Sequence, residues 1–199
     1  IEAVKALRHD EEFKEVKLVF LGRRSEHHKS YLAKFDETLK ENSWIIHPGF
    51  IPQNEIPSYY HFAKVGISAS WFETTGLTSL EALFCGTNVV ASGARAKELL
   101  GDLAVYCDPA NVASITSALR QAYKRAVTPV PTSFRQEYTW ENAAKQTLTV
   151  YNSLLKTATV RWQDVATPAT AGPAKQGISA NHQRKLVVVD KQLIKGGEA

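Results

Sequence analysis

The 199 residues are 44% apolar and 22% charged with a formal net charge of +4, enough for one cored domain and some additional chain. No block of Lys and Arg is interleaved with aromatics, which speaks against nucleic acid, and no signal peptide or bilayer-length apolar run is present. Cys85 and Cys107 lack metal-ligand spacing and read as reduced core residues of a cytoplasmic protein. The mild basic excess suits an anionic small ligand and is compatible with a place at the inner face of a membrane. It equally fits a solvated basic face. The sequence contains no Met, even at position 1, so it is expected to begin inside a longer protein.

Ile1 to Arg8 reads as an amphipathic helix with Ile1, Val4 and Leu7 on one face. Val16 to Leu21 is a buried strand ended by Gly22-Arg23-Arg24, whose two arginines read as solvated. Tyr31 to Glu41 is helical, with Leu32, Phe35 and Leu39 sharing a face. Trp44 to His47 is the next strand, and Pro48-Gly49-Phe50-Ile51-Pro52 turns away from it. Gly49 suits a close backbone approach, to a ligand or simply in a turn. His47 has no partner acid or cysteine and reads as a satisfied histidine at a strand end. The stretch from Gln53 opens with capping residues and continues as a short helix that packs Ile56, Tyr59, Tyr60 and Phe62. His27-His28 lies in a polar loop without acids at ligand spacing, so no metal is expected.

Val65 to Ala69 reads as a buried strand, and it leads into Trp71-Phe72-Glu73-Thr74-Thr75-Gly76-Leu77-Thr78-Ser79-Leu80-Glu81-Ala82-Leu83-Phe84-Cys85-Gly86. Leu77, Leu80, Leu83 and Phe84 recur at helical spacing, Gly86 stands at a helix C′ position, and Val89-Val90-Ala91 resumes a strand. Glu73 falls in the loop beyond the first strand's carboxyl end, where open α/β sheets bind ligands. Glu81 is one residue past two helical turns from Glu73. A carboxylate there can accept a pair of hydroxyl protons, as from a ribose diol, while the amides of Thr75, Gly76 and Leu77 face an anion. Further on, Ala104 to Cys107 is a strand stopped by Asp108-Pro109. Asn111 begins a helix with Val112, Ile115, Leu119, Ala122 and Tyr123 inward. Val165 to Gly177, rich in Ala, Pro, Thr and Gly, reads as a linker. Arg184 to Asp190 is a strand pattern that fits either an extra edge strand or the start of another module.

Glu73-x7-Glu81 with Gly76-Leu77 inside it, Glu81-Ala82-Leu83, Cys85-Gly86-Thr87 and Val89-Val90-Ala91 resemble the signature of the large retaining GT-B glycosyltransferase family 4. Thr74 and Thr75 depart from it, standing where Pro and Phe or Cys are common, and Asn88 replaces a usual Pro. The resemblance implies that Glu73 and the amides of Thr75, Gly76 and Leu77 meet the donor sugar and phosphates, Glu73 as the catalytic residue, and that Glu81 binds the ribose. It implies that Gly22 is the remnant of a Gly-rich turn near the nucleotide, and that the backbone at Gly49 borders the nucleobase. Ser92 to Gly101 resembles a loop and short helix near the donor, and Tyr138 to Leu155 a closing helix with Thr139 as N-cap and Trp140 packed at its start. The opening strand of the lobe, with an Arg and a Lys for the pyrophosphate, and the acceptor-binding lobe are both expected upstream of Ile1.

The expected fold is therefore α/β: a doubly wound, mainly parallel Rossmann-like sheet, the C-terminal lobe of a GT-B enzyme. Residues 1–157 form this lobe, 158–183 a linker and 184–199 an unassigned strand-like tail. The expected function is a lobe that binds a nucleotide-diphosphate sugar for retaining transfer to a glycan, lipid or small acceptor. Its partners are that donor and the missing acceptor lobe; no metal or other cofactor is implied, and the fragment alone is expected to be inactive. A GT-B-shaped sugar-nucleotide epimerase and a catalytically idle scaffold module are the competing readings. The Gly76-Leu77 context favours the transferase over the epimerase.

Overall fold

The computed structural model describes residues 1–24, 28–127, 129–155 and 186–189. They divide into two compact units, one of residues 1–130 with 184–199 and one of residues 131–183. In the first unit the strands are β1 (Lys17–Leu21), β2 (Ile45–Gly49), β3 (Ala63–Ser68), β4 (Asn88–Ser92), β5 (Ala104–Cys107) and β6 (Leu186–Val189). The helices are α1 (Glu2–Leu7), α2 (Lys29–Glu41), α3 (Ile56–Phe62), α4 (Leu77–Phe84), α5 (Ala94–Leu100) and α6 (Val112–Lys124). The strands form one sheet in the order β2-β1-β6-β3-β4-β5, and every pairing is parallel.

A parallel sheet of this kind is covered on both faces, so its strands read as continuous apolar runs. All five residues of β4 are buried. On one face Val65 and Ile67 of β3 join Ala3, Val4 and Leu7 of α1, Val90, Val105, and Ala118, Leu119 and Ala122 of α6 in a single core. The hydroxyl of Thr116 ties α6 to α1 by donating to the Ala3 carbonyl at 3.2 Å. Gly66 lies between Val65 and Ile67, so it looks to the opposite face. A Cβ built there would stand 3.0 Å from Cβ of Ala82 in α4. The missing side chain is what lets α4 lie directly on β3.

The strand-like tail takes neither of the places its sequence suggested. β6 is not at an edge and not in a separate module; it fills the middle of the sheet. Leu186 to Val189 align with Lys17 to Phe20 of β1 on one side, and with Ala63 and Val65 to Ile67 of β3 on the other. The linker expected at Val165 to Gly177 lies outside the described residues.

Several inward assignments also change. Val112 and Phe62 are exposed, as is Trp140. Val112 and Trp140 each stand at the first position of a helix, where a side chain leaning toward the N-terminus finds no preceding turn to cover. The second unit holds α7 (Thr132–Glu137) and α8 (Trp140–Leu155). Thr139 caps α8 as expected, its hydroxyl accepting from the Asn142 amide at 3.1 Å, yet Trp140 itself is 93% exposed.

Asn88, which stands where the resembled sequences carry Pro, has a structural task. Its side-chain amide is buried and donates to the carbonyls of Ala122 at 2.9 Å and Arg125 at 2.8 Å. Those carbonyls lie at the C-terminal end of α6, where intrahelical donors run out. Asn88→Ala should orphan both and lower stability by about 1–3 kcal/mol. A fall of several degrees in the thermal midpoint, followed by circular dichroism, is the expected result; an unchanged midpoint would show that α6 does not depend on this cap.

Candidate functional site at the carboxyl edge of the sheet

Because all six strands run the same way, their carboxyl ends share one edge. The chain moves from β1 outward to β2 on one side, and from β3 outward through β4 to β5 on the other. The crevice at such a reversal is where open α/β sheets take their ligands. Gly22, Gly49, Ser68 with the loop that follows it, and Ser92 all lie at this edge.

The loop from Ala69 to Gly76 is organised by Glu73. Its Oε1 accepts from the amides of Thr74 at 3.1 Å and Gly76 at 3.0 Å, and its Oε2 accepts from the Ser68 hydroxyl at 3.3 Å. These bonds fold the loop ahead of α4 and set a carboxylate near the helix's positive end, without capping its first-turn amides. Gly76 then adopts φ 59°, ψ 30°, a left-handed conformation that glycine reaches without cost. Its carbonyl accepts from the Leu80 amide at 3.1 Å, which starts α4. The loop is pinned from the neighbouring strand as well. The Ser92 hydroxyl at the end of β4 donates to the Ser70 carbonyl at 2.6 Å. Thus the Gly76 amide, expected to face an anion, donates to Glu73 in this structure. Thr75 and Leu77 are exposed, and so are Trp71 and Phe72 beside them, at 74% and 82%.

Glu81 lies one turn further along α4 and is half-buried. The side-chain amide of Gln53, in the turn before α3, donates to its Oε1 at 3.3 Å. Gln53 reads from sequence only as part of a capping cluster. Its meeting with Glu81 joins residues far apart in the chain and has no local signal. Ser92 was missed for the same reason, whereas Ser68 stands only five residues from Glu73 and belongs to no motif.

At the other side of the edge, Gly22 and Gly49 meet directly, the Gly22 amide donating to the Gly49 carbonyl at 3.1 Å. His47 Nε2 lies 3.1 Å from the Gly22 carbonyl, and its ring meets Phe35 edge-on. This is the satisfied histidine that its sequence context suggested. Burial, and then the charge of Arg24, hold its pKa below the usual histidine value. Neither arginine is simply solvated. Arg24 pairs with Asp36 at 2.5 Å, and Arg23 lies over the Phe50 ring at 4.3 Å. Among the described residues no three His, Cys, Asp or Glu side chains come together, and none of the helices is long and apolar enough to cross a membrane.

The edge therefore offers two carboxylates on one loop-helix unit, a pair of glycines whose backbones approach closely, and a helix N-terminus between them. Carboxylates accept hydroxyl protons, and open backbone admits a flat or extended ligand.

Comparison with known proteins bears on the family and the fold. Residues 1–125 match the family described as glycosyl transferases group 1. Over 117 residues the chain is 30% identical to O-antigen chain mannosyltransferase B of Escherichia coli, covering 56% of this chain and 31% of that protein. A sucrose-phosphate synthase from Thermosynechococcus elongatus superposes with a TM-score of 0.60 at 16% identity, over 77% of this chain and 49% of its own. The chain thus spans about a third of the curated relative and half of the solved one, and its α/β sheet is that of a GT-B protein.

Two measurements test the geometry of the edge. Glu73→Ala should release the amides of Thr74 and Gly76 and cost about 1–2 kcal/mol, since the bonds are charge-assisted but half-exposed. Faster hydrogen exchange at those two amides is expected, with a smaller change for Glu73→Gln; unchanged exchange in the alanine variant would show that the loop holds itself. For His47, a depressed folded-state pKa means that its neutral form stabilises the fold above the unfolded value of 6.5. That contribution is lost as pH falls from 6.5 through the folded value. An NMR titration of the imidazole should show a midpoint below 6.5, and a midpoint at or above it would contradict the packing described.

Proposed function

The chain belongs to the glycosyl transferases group 1 family, and from that premise we propose that its lobe binds the nucleoside diphosphate half of a sugar donor. The observation that carries the reading is the place of Glu81: on α4, one turn in from the loop of Glu73, at the edge where Gly22 and Gly49 also meet. Glu81 accepts the ribose hydroxyls, with Gln53 yielding or sharing its bond. The backbones of Gly22 and Gly49 border the base. The first turn of α4, with Thr75 and Leu77 at its entrance, faces the phosphates, whose negative charge the helix N-terminus favours.

Glu73 orients the sugar from within the loop that it holds. Retaining transfer needs the leaving diphosphate stabilised as its bond to the anomeric carbon breaks, and positively polarised backbone at α4 suits that need. No metal takes part in this reading. The acceptor is a glycan, lipid or small molecule bound on a second lobe, and the name of the mannosyltransferase relative supports a hexose added to a growing polysaccharide. The lobe works at the cytoplasmic side of a membrane. The commitment of Glu73 to its own loop favours, as a second reading, a module that binds nucleotide without turning it over.

Calorimetry with UDP, GDP and ADP on the wild-type chain and on Glu81→Gln tests the proposal. Loss of a charge-assisted hydrogen bond costs roughly 1.5–3 kcal/mol, so affinity for the preferred nucleotide should fall about tenfold or more. Equal affinity in the variant would remove Glu81 from the ribose site. Absence of binding by all three in the wild type would count against the donor-lobe reading itself.

A further inference from the structure

The loop that Glu73 organises carries two aromatic side chains that the fold leaves uncovered. Trp71 is 74% exposed and Phe72 82% exposed. The residues on either side of the pair are fastened. Ser70, directly before Trp71, accepts at its carbonyl from the Ser92 hydroxyl at 2.6 Å. Glu73, directly after Phe72, is bonded to Ser68, Thr74 and Gly76. The two rings therefore stand on a fixed support at the carboxyl edge of the sheet. Adjacent apolar surface held in water on such a support marks a contact site. Each ring has only two side-chain torsions to lose on contact, so the entropy cost of using it is small.

The faces of aromatic rings are electron-rich. They attract a flat apolar surface whose hydrogens carry slight positive charge, and the axial C–H bonds of a pyranose form such a face. The hydroxyls of the same sugar point sideways and need hydrogen-bonding partners. Thr74 and Thr75, next along the loop, are exposed and carry them. The charge of the loop agrees. From Ser68 to Thr78 the sequence has one acid and neither Lys nor Arg. Arg95 of α5, the helix whose Leu99 stands against the Gly76 turn, is paired with Glu98 at 3.1 Å. An anionic lipid surface is recruited by free basic side chains, so this loop suits an uncharged polyhydroxyl ligand better.

Position narrows the ligand further. On the reading proposed above, on which this inference rests, Glu73 orients the donor sugar. Transfer then requires an acceptor oxygen to come within about 3–3.5 Å of the anomeric carbon. The part of the acceptor that bears this oxygen must lie beside the donor sugar. Phe72 and Trp71 are one and two residues from Glu73, at about 3.8 Å per residue between Cα atoms. We infer that Trp71 and Phe72 form a stacking platform for a sugar ring of the acceptor. The acceptor is thus a saccharide, or carries one at its receiving end, and this lobe grips it as well as the donor.

Saturation-transfer NMR, which registers millimolar affinities, tests this on the whole chain with α-mannobiose, maltose and N,N′-diacetylchitobiose. At least one disaccharide should bind, with saturation strongest at its axial ring protons. In the double variant Trp71→Ala, Phe72→Ala its affinity should fall about fivefold or more, whereas Trp71→Phe, which keeps an aromatic face, should lose less. Both side chains are exposed, so the melting midpoint of the double variant should stay close to that of the wild type. Saturating UDP-glucose or GDP-mannose should leave the disaccharide bound; displacement by either would assign the rings to the donor sugar and overturn the inference. Failure of all three disaccharides to bind, or equal binding by the double variant, would overturn it too. With UDP, GDP or ADP still bound in calorimetry, that failure would leave the donor-lobe reading standing. Conversely, loss of nucleotide binding alone would count against the donor reading, and ring-dependent disaccharide binding would still support the platform. Association with phosphatidylglycerol vesicles, or self-association in sedimentation, that is present in the wild type and absent in the double variant would give the rings another partner and overturn the inference.

Discussion

Between Leu18 and Val65 the backbone is out of reach of water, and its hydrogen bonds must come from another strand. β6 supplies them on both sides at once. That one insertion joins β2-β1 to β3-β4-β5, and only the joined sheet has a single carboxyl edge on which Gly22, Gly49 and the loop of Glu73 stand together. The order β2-β1-β6-β3-β4-β5 becomes 3-2-1-4-5-6 if β6 is counted first. This is the strand order of dinucleotide-binding sheets. The spatial arrangement is thus the familiar one, reached with its middle strand at the far end of the sequence.

Within that frame the site is built from short, local pieces. Glu73 closes a ring of bonds with Ser68, Thr74 and Gly76, and Ser92 fastens the same loop to β4. The left-handed turn at Gly76 is tight on its outer side as well, since a Cβ there would come within 3.4 Å of Leu99 in α5. α4 therefore starts at a position fixed by three neighbours: its own loop, the next strand and the next helix. Glu81 inherits that placement. A carboxylate on a well-anchored helix loses little freedom on meeting a ligand, which is how rigid elements support binding.

Much of this was legible from residue order because it is local. The strand before Glu73, the amphipathic α4, the Gly86 stop and the cap at Thr139 each follow from patterns a few residues long. What escaped depends on distant partners. Nothing in Leu-Val-Val-Val distinguishes a central strand from an edge strand; that is decided by which open edges the remaining strands leave. Asn88 read as a departure from a motif, and its role appeared only once the end of α6 lay beside it. Gln53 and Glu81 are likewise brought together by the packing of α3 against α4. Conversely, Val112 and Trp140 satisfied an apolar pattern and still face outward, because a residue at the first position of a helix lacks the preceding turn that would seat it; Phe62, at the other end of α3, is exposed as well.

The position of β6 also bears on the order in which the molecule assembles. Lys17 to Phe20 pair with Leu186 to Val189, a separation of 169 positions in the sequence. A strand edge that waits for so distant a partner is the kind of surface that seeks strands from other molecules. Contacts of such long sequence separation also slow folding, because the entropy of closing the loop is lost before the pairing is gained. The helices and outer strands can form first, on either side of a gap. The entry of this one short strand into the centre joins β1 to β3 across a long loop of sequence.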